Sequence, residues 1–129
     1  MKIIISNDSG LPIYEQIKNQ IKAQIVAGDL KAYEGLPGMR TLASDLKVSV
    51  ITTKRAYNDL EQERYIYSMP GKGSFVKQLN EEVVRENALA EIEKYLTDAM
   101  TVAKAAGIDI DELQEILKTL DEVGDLWKQ

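Results

Sequence analysis

Ile51, Lys54, Arg55 and Asn58 recur at i, i+3, i+4 and i+7. On a helix that spacing puts the four side chains on one face. Two cations and an amide, with no carboxylate until Asp59 and Glu61, suit a surface that meets phosphates and base edges. A solvated cationic face is the blander reading of the same residues. Thr53, Ala56, Tyr57 and Leu60 have the same spacing on the other side, and they would face a core. Other chemistry is narrowed by what is missing. The chain has no Cys and no His, which excludes disulfides, thiolate nucleophiles, imidazole bases and the usual zinc ligand sets. There is no EF-hand loop and no nucleophile–base or metal constellation, so neither an enzyme nor a bound cofactor is expected. Glu81, Glu82, Glu86, Asp109, Asp111 and Glu112 read as a solvated face and helix caps.

A stripe of this kind needs elements to hold it. Tyr14, Ile17, Ile21 and Ile25 predict a first helix over about 11–27, with Pro12 in its first turn and Gly28 as its stop. An extended lead-in, 1–10, precedes it. Gly28, Gly35, Pro37 and Gly38 mark a loop, followed by a short helix over 39–46. After a tight turn at Lys47 and Val48, Ser49 reads as the N-cap of a third helix over about 50–63. Tyr65-Ile66-Tyr67 and Ser74-Phe75-Val76 are β-prone runs around Met69-Pro70-Gly71-Lys72-Gly73, a hairpin with a glycine-rich tip. Short helix, turn, helix and hairpin follow the order of a winged helix-turn-helix. Tyr14, Tyr57, Tyr65 and Phe75 read as core.

The remainder differs in charge and pattern. Residues 1–78 hold 11 Lys/Arg against 8 Asp/Glu, a net +3, and residues 79–129 hold 5 against 13, a net −8. Such asymmetry points to two modules with different partners. Leu89, Ile92, Leu96, Ala99 and Ala103 are spaced 3-4-3-4, the seam of packed helices. Gly107 ends that helix. Asp109 to Glu112 resembles a capping box, with Ile108 and Leu113 as a hydrophobic staple. Leu113, Ile116 or Leu117, Leu120, Val123 and Trp127 line a last helix. Two helices bury little on their own, and a second copy is the simplest cover. No apolar run is long enough to span a bilayer, and the first residues are too short for a signal peptide. The expected location is therefore the cytoplasm.

Several ordered motifs resemble the GntR family of transcription regulators. Leu36-Pro37-Gly38-Met39-Arg40-Thr41-Leu42-Ala43 is similar to its Leu-Pro-Ser-x-Arg-x-Leu-Ala signature. The run from Val48 and Ser49 through Thr52, Lys54, Ala56, Tyr57, Leu60 and Glu61 resembles its recognition helix. Pro70 to Val76 resembles its wing. Leu11 to Ile17 and the short acidic tail are similar to the YtrA-like branch. The resemblance implies DNA contact by Arg40, phosphate binding by Ser49 and Thr52, and a major-groove role for Lys54, with Arg55 beside it. It also implies a wing tip of Gly71, Lys72 and Gly73 at the minor groove. The same residues allow simpler readings: Ser49 and Thr52 as caps, and Gly71 and Gly73 as turn formers. Gly38 stands where the family has a capping Ser, Lys47 where a Gly is frequent, and Val50 where many relatives have a base-reading Arg.

The expected fold is α+β and mostly helical. A winged helix-turn-helix with a small β-hairpin wing, 1–78, precedes an antiparallel two-helix dimerisation tail, 79–129. Leu89, Ile92, Leu96, Met100, Leu113, Leu117, Leu120 and Trp127 would form the dimer contact. The expected function is sequence-specific binding of double-stranded operator DNA by a homodimer, as a repressor of a palindromic site near its own operon. No membrane partner is expected. Rival readings are a regulator with a small-molecule effector, and a protein-interaction adaptor whose DNA binding is only non-specific.

Overall fold

Ile17, Ile21 and Ile25 recur every four residues and form the buried edge of helix α1 (Ile13–Ala27). The computed structural model describes residues 1–127, with side-chain surroundings through Gly124. It divides into two compact units, Met1–Val84 and the stretch from Arg85 onward. Pro12 is not inside the first turn of α1 but is its N-cap. Its ψ of 147° is extended, and its carbonyl receives the N–H groups of Glu15 and Gln16. Gly28 closes the helix at φ 84°, a left-handed conformation that glycine adopts without a Cβ clash.

The lead-in is a strap laid antiparallel along α1. The Gln24 amide donates to the Lys2 carbonyl at 2.8 Å. Gln20 accepts the Ile4 N–H at 2.9 Å and donates back to its carbonyl at 2.6 Å. Gln16 does the same at Ser6, both at 2.8 Å. Four helical residues rise about 6 Å and two extended residues about 6.6 Å, so glutamines every fourth residue meet alternate residues of the strap. Ile3 and Ile5 pack against the core from the same strap, while Ile4 is exposed.

Helix α2 (Met39–Leu46) turns through Lys47, at φ 58° and ψ 45°, into α3 (Val50–Gln62). Leu42 of α2, the α1 isoleucines, and Ala56, Tyr57 and Leu60 of α3 form one core with Tyr65, Ile66 and Val76. Polar atoms inside it are satisfied. The Thr53 hydroxyl lies 3.0 Å from the Met39 carbonyl and 2.9 Å from that of Val50. The Tyr57 hydroxyl donates to the Pro37 carbonyl at 2.7 Å, and burial pushes its pKa up to about 12. Among the described residues no buried side-chain N or O lacks a partner.

Strands β1 (Ile66–Met69) and β2 (Gly73–Val76) pair antiparallel from Ile66↔Val76 to Met69↔Gly73. They reach further than the β-prone runs, leaving Pro70, Gly71 and Lys72 as the tip. Pro70 precedes Gly71 at φ 75°, and the Lys72 N–H bonds the Met69 carbonyl at 2.9 Å, a type II turn. Within the segment expected as loop, Tyr33, Glu34 and Leu36 exchange backbone bonds of 2.7–2.9 Å with β2. They cover an edge that would otherwise be open.

The first unit runs on past Gln78 to Val84 because Leu79 and Val84 pack against its core. The mostly helical α+β architecture closes with helices α4 (Glu81–Ala106) and α5 (Ile110–Trp127), an antiparallel two-helix tail. Gly107 at φ 73° and the Ile108 N–H on the Ala103 carbonyl at 2.9 Å make a Schellman end. Asp109 then caps α5, accepting the Glu112 N–H at 3.0 Å. In this unit Ala103 is buried, whereas Leu89, Ile92, Leu96, Met100, Leu117 and Leu120 are exposed and Leu113 is half-buried. The Trp127 side chain, expected in the same seam, lies outside the described residues.

Candidate nucleic-acid interface

The two stripes of α3 separate as their spacing requires. Thr53, Ala56, Tyr57 and Leu60 are buried, and Ile51, Lys54, Arg55 and Asn58 are exposed. Ser49 caps the helix: its hydroxyl accepts the Thr52 N–H at 3.1 Å and sits 2.8 Å from the Thr52 hydroxyl. The two hydroxyls therefore hold each other at the start of the helix, where no acidic side chain opposes an anion. Capping and phosphate contact are compatible, since the Ser49–Thr52 pair uses only one of the two hydroxyl protons and the other O–H can donate to a phosphate oxygen.

Arg40 stands exposed at the second position of α2. It shares a groove of about 360 Å³ with Pro37, Thr41, Gly73 and Ser74, which brings the start of α2 beside the base of the wing. Gly71, Lys72 and Gly73 are exposed at the wing's end, with Gly73 at φ 106°. Both glycines are needed by the backbone itself, since an L side chain at either φ would be strained.

Two sets of cations contrast. On the α1 side of α3, Lys18 and Lys22 pair with Glu63 at 3.2 and 3.5 Å, and Lys18 approaches Asp59 at 4.0 Å. Among the described residues the side chains of Arg40, Lys54 and Lys72 have no such carboxylate partner. Their charge is left for something outside the unit. Arg55 belongs to neither group. Its guanidinium lies 3.8 Å from the centre of the Tyr14 ring, so one face is occupied while the edge N–H groups remain accessible. Tyr14 is half-buried and packs against the core, and it also serves as the platform for Arg55. Sequence reasoning missed this role, because a pairing between α1 and α3 leaves no mark in the spacing of either helix. Phe75 is likewise half-buried and stacks on Tyr67 at 5.6 Å.

No group of acidic, Cys or His side chains among the described residues is arranged to hold a metal ion. Nor is any described helix long and apolar enough to cross a membrane.

A helix pair presenting an unpaired cationic face, with a hairpin wing beside it, defines a winged helix-turn-helix. The model of the bacterial regulatory proteins of the gntR family matches residues 13–76. The chain is 30% identical to the HTH-type transcriptional repressor YtrA of Bacillus subtilis (strain 168), across 92% of this chain and 91% of YtrA. Its fold matches YtrA from Sulfolobus acidocaldarius, a GntR-family transcription factor, with a TM-score of 0.60 and 34% identity. That match covers 95% of this chain and 99% of the other. AraR(DBD) in complex with an operator matches with a TM-score of 0.52 and 28% identity, covering 59% of this chain and 95% of that one. The chain belongs to the GntR family, whose members here are DNA-binding transcription regulators and not enzymes.

Proposed function

We propose that this chain is a cytoplasmic repressor that binds, as a homodimer, a roughly palindromic operator near its own operon. The observation that carries the reading is the exposed face of α3, with Lys54 uncompensated, as are Arg40 of α2 and Lys72 of the wing tip. In this reading α3 enters the major groove. Arg40, Ser49, Thr52 and the edge of Arg55 meet phosphates or bases, and Gly71, Lys72 and Gly73 border the minor groove.

The tail supplies the pairing. Two helices cannot bury the apolar stripes of α4 and α5 between themselves, and Leu96, Met100, Leu117 and Leu120 line an open groove of about 310 Å³. A second copy offers the matching apolar surface. Two recognition helices would then reach major grooves about one helical turn, ~34 Å, apart.

The test is fluorescence anisotropy on DNA from the protein's own upstream region, beside scrambled DNA and across a salt series. Own-site binding at least ~10³-fold tighter than scrambled, falling with salt and lost in the Arg40→Ala/Lys54→Ala variant, supports the reading. Equal, weak binding to every duplex, with no site enriched from genomic fragments, favours the adaptor instead.

A further inference from the structure

Ile51 is 80% exposed and Val50 42% exposed, side by side at the start of α3. Folding gains little from either. Both are β-branched, which is mildly unfavourable in a helix, and neither is covered by the core. What surrounds them is chosen for an anion. Lys54 stands one turn on, the first turn of α3 carries no acid, and the neighbouring hydroxyls of Ser49 and Thr52 hold each other. The outer face of this turn therefore projects aliphatic groups and no bidentate donor, although the residues opening a recognition helix are those that reach base edges.

Only one base shows an apolar group in the major groove: thymine, through its 5-methyl. We propose that Ile51, with Val50 beside it, reads thymine methyl groups, so that the operator half-site is selected in part by methyl contact. The proposal rests on the DNA-binding reading above and specifies its substrate. Two side chains are far too small a patch for a protein partner, since a stable protein interface buries about 1,600 Å². The cations around them fit a polyanion. A β-branched side chain also has few rotamers to lose on contact, so it can discriminate a single methyl at a small ordering cost.

The probe is the duplex that the full chain enriches from a random-sequence pool, resynthesised with deoxyuridine replacing thymidine at one position at a time. At one or two positions per half-site, affinity should fall about four-fold per methyl removed. Ile51→Ala should bind the thymine duplex about four-fold more weakly and no longer distinguish thymine from uracil there, while its salt dependence stays that of the parent. Indifference to deoxyuridine at every position overturns the proposal, as does discrimination that persists in a Val50→Ala/Ile51→Ala variant. Failure to enrich any sequence would overturn the operator reading as well, an outcome distinct from a specific site that ignores the methyl.

Discussion

The two units use the same aliphatic residues at the same helical spacings and finish in different states. In Met1–Val84, the α1 isoleucines meet Leu60 and Tyr57 of α3, and α2 and β1 close the remaining sides. In the stretch from Arg85, Leu89, Ile92, Leu96, Leu117 and Leu120 stay exposed on helices that are just as regular. Periodicity tells which face of a helix is apolar; the number of neighbouring layers decides whether that face is covered. The first unit has a complete interior, and the tail has half of one.

Charge placed in the tail tests this contrast most severely. Leu96→Asp with Leu117→Asp should leave a monomer in sedimentation, and operator affinity should drop about 10²–10⁴-fold as bivalent binding is lost. Melting of the first unit should be unchanged. A variant that still sediments as a dimer would place the pairing surface elsewhere. A smaller effect belongs to the first unit alone. Tyr57 has a pKa near 12 when folded against 10.0 when unfolded. The unfolded chain therefore releases its proton first, and stability falls as pH rises from 10 towards 12. The loss is about 2–3 kcal/mol, read by urea unfolding. It should vanish in Tyr57→Phe and not depend on protein concentration, as an interior without a partner requires. The smallest effect is a gain. Lys47→Gly relieves a left-handed backbone, and unfolding should require about 1 kcal/mol more by the same measurement.

The helices, the hairpin and the two stripes of α3 were legible because each is local. Thr53, Ala56, Tyr57 and Leu60 needed only the helical period, and Pro70 with Gly71 only the geometry of a turn. Lys47 was legible as a departure from a frequent Gly, and its φ of 58° shows the left-handed position such a Gly would suit. The features that escaped join segments distant in sequence. The strap pairs through Gln16, Gln20 and Gln24, and their bonds to the lead-in leave no mark in the helical period of α1. Residues 33–36 pair with β2 through backbone, which carries no side-chain signature. Arg55 was legible as exposed, but its ring platform required knowing how α1 crosses α3. For the interface itself, residue types and their face could be read, while the separation of paired from unpaired cations could not. That separation depends on which carboxylates α3 turns toward Lys18 and Lys22.

The glutamine row of α1 has a consequence in time. The bonds it makes to the strap join residues 2–9 to residues 16–24. The loop to be closed is short, so this pairing can begin as soon as that stretch has left the ribosome, before α2, α3 or the wing has emerged. The nascent helix then has its polar row occupied in advance, and the Ile17–Ile21–Ile25 side is what remains to meet α3 when α3 arrives.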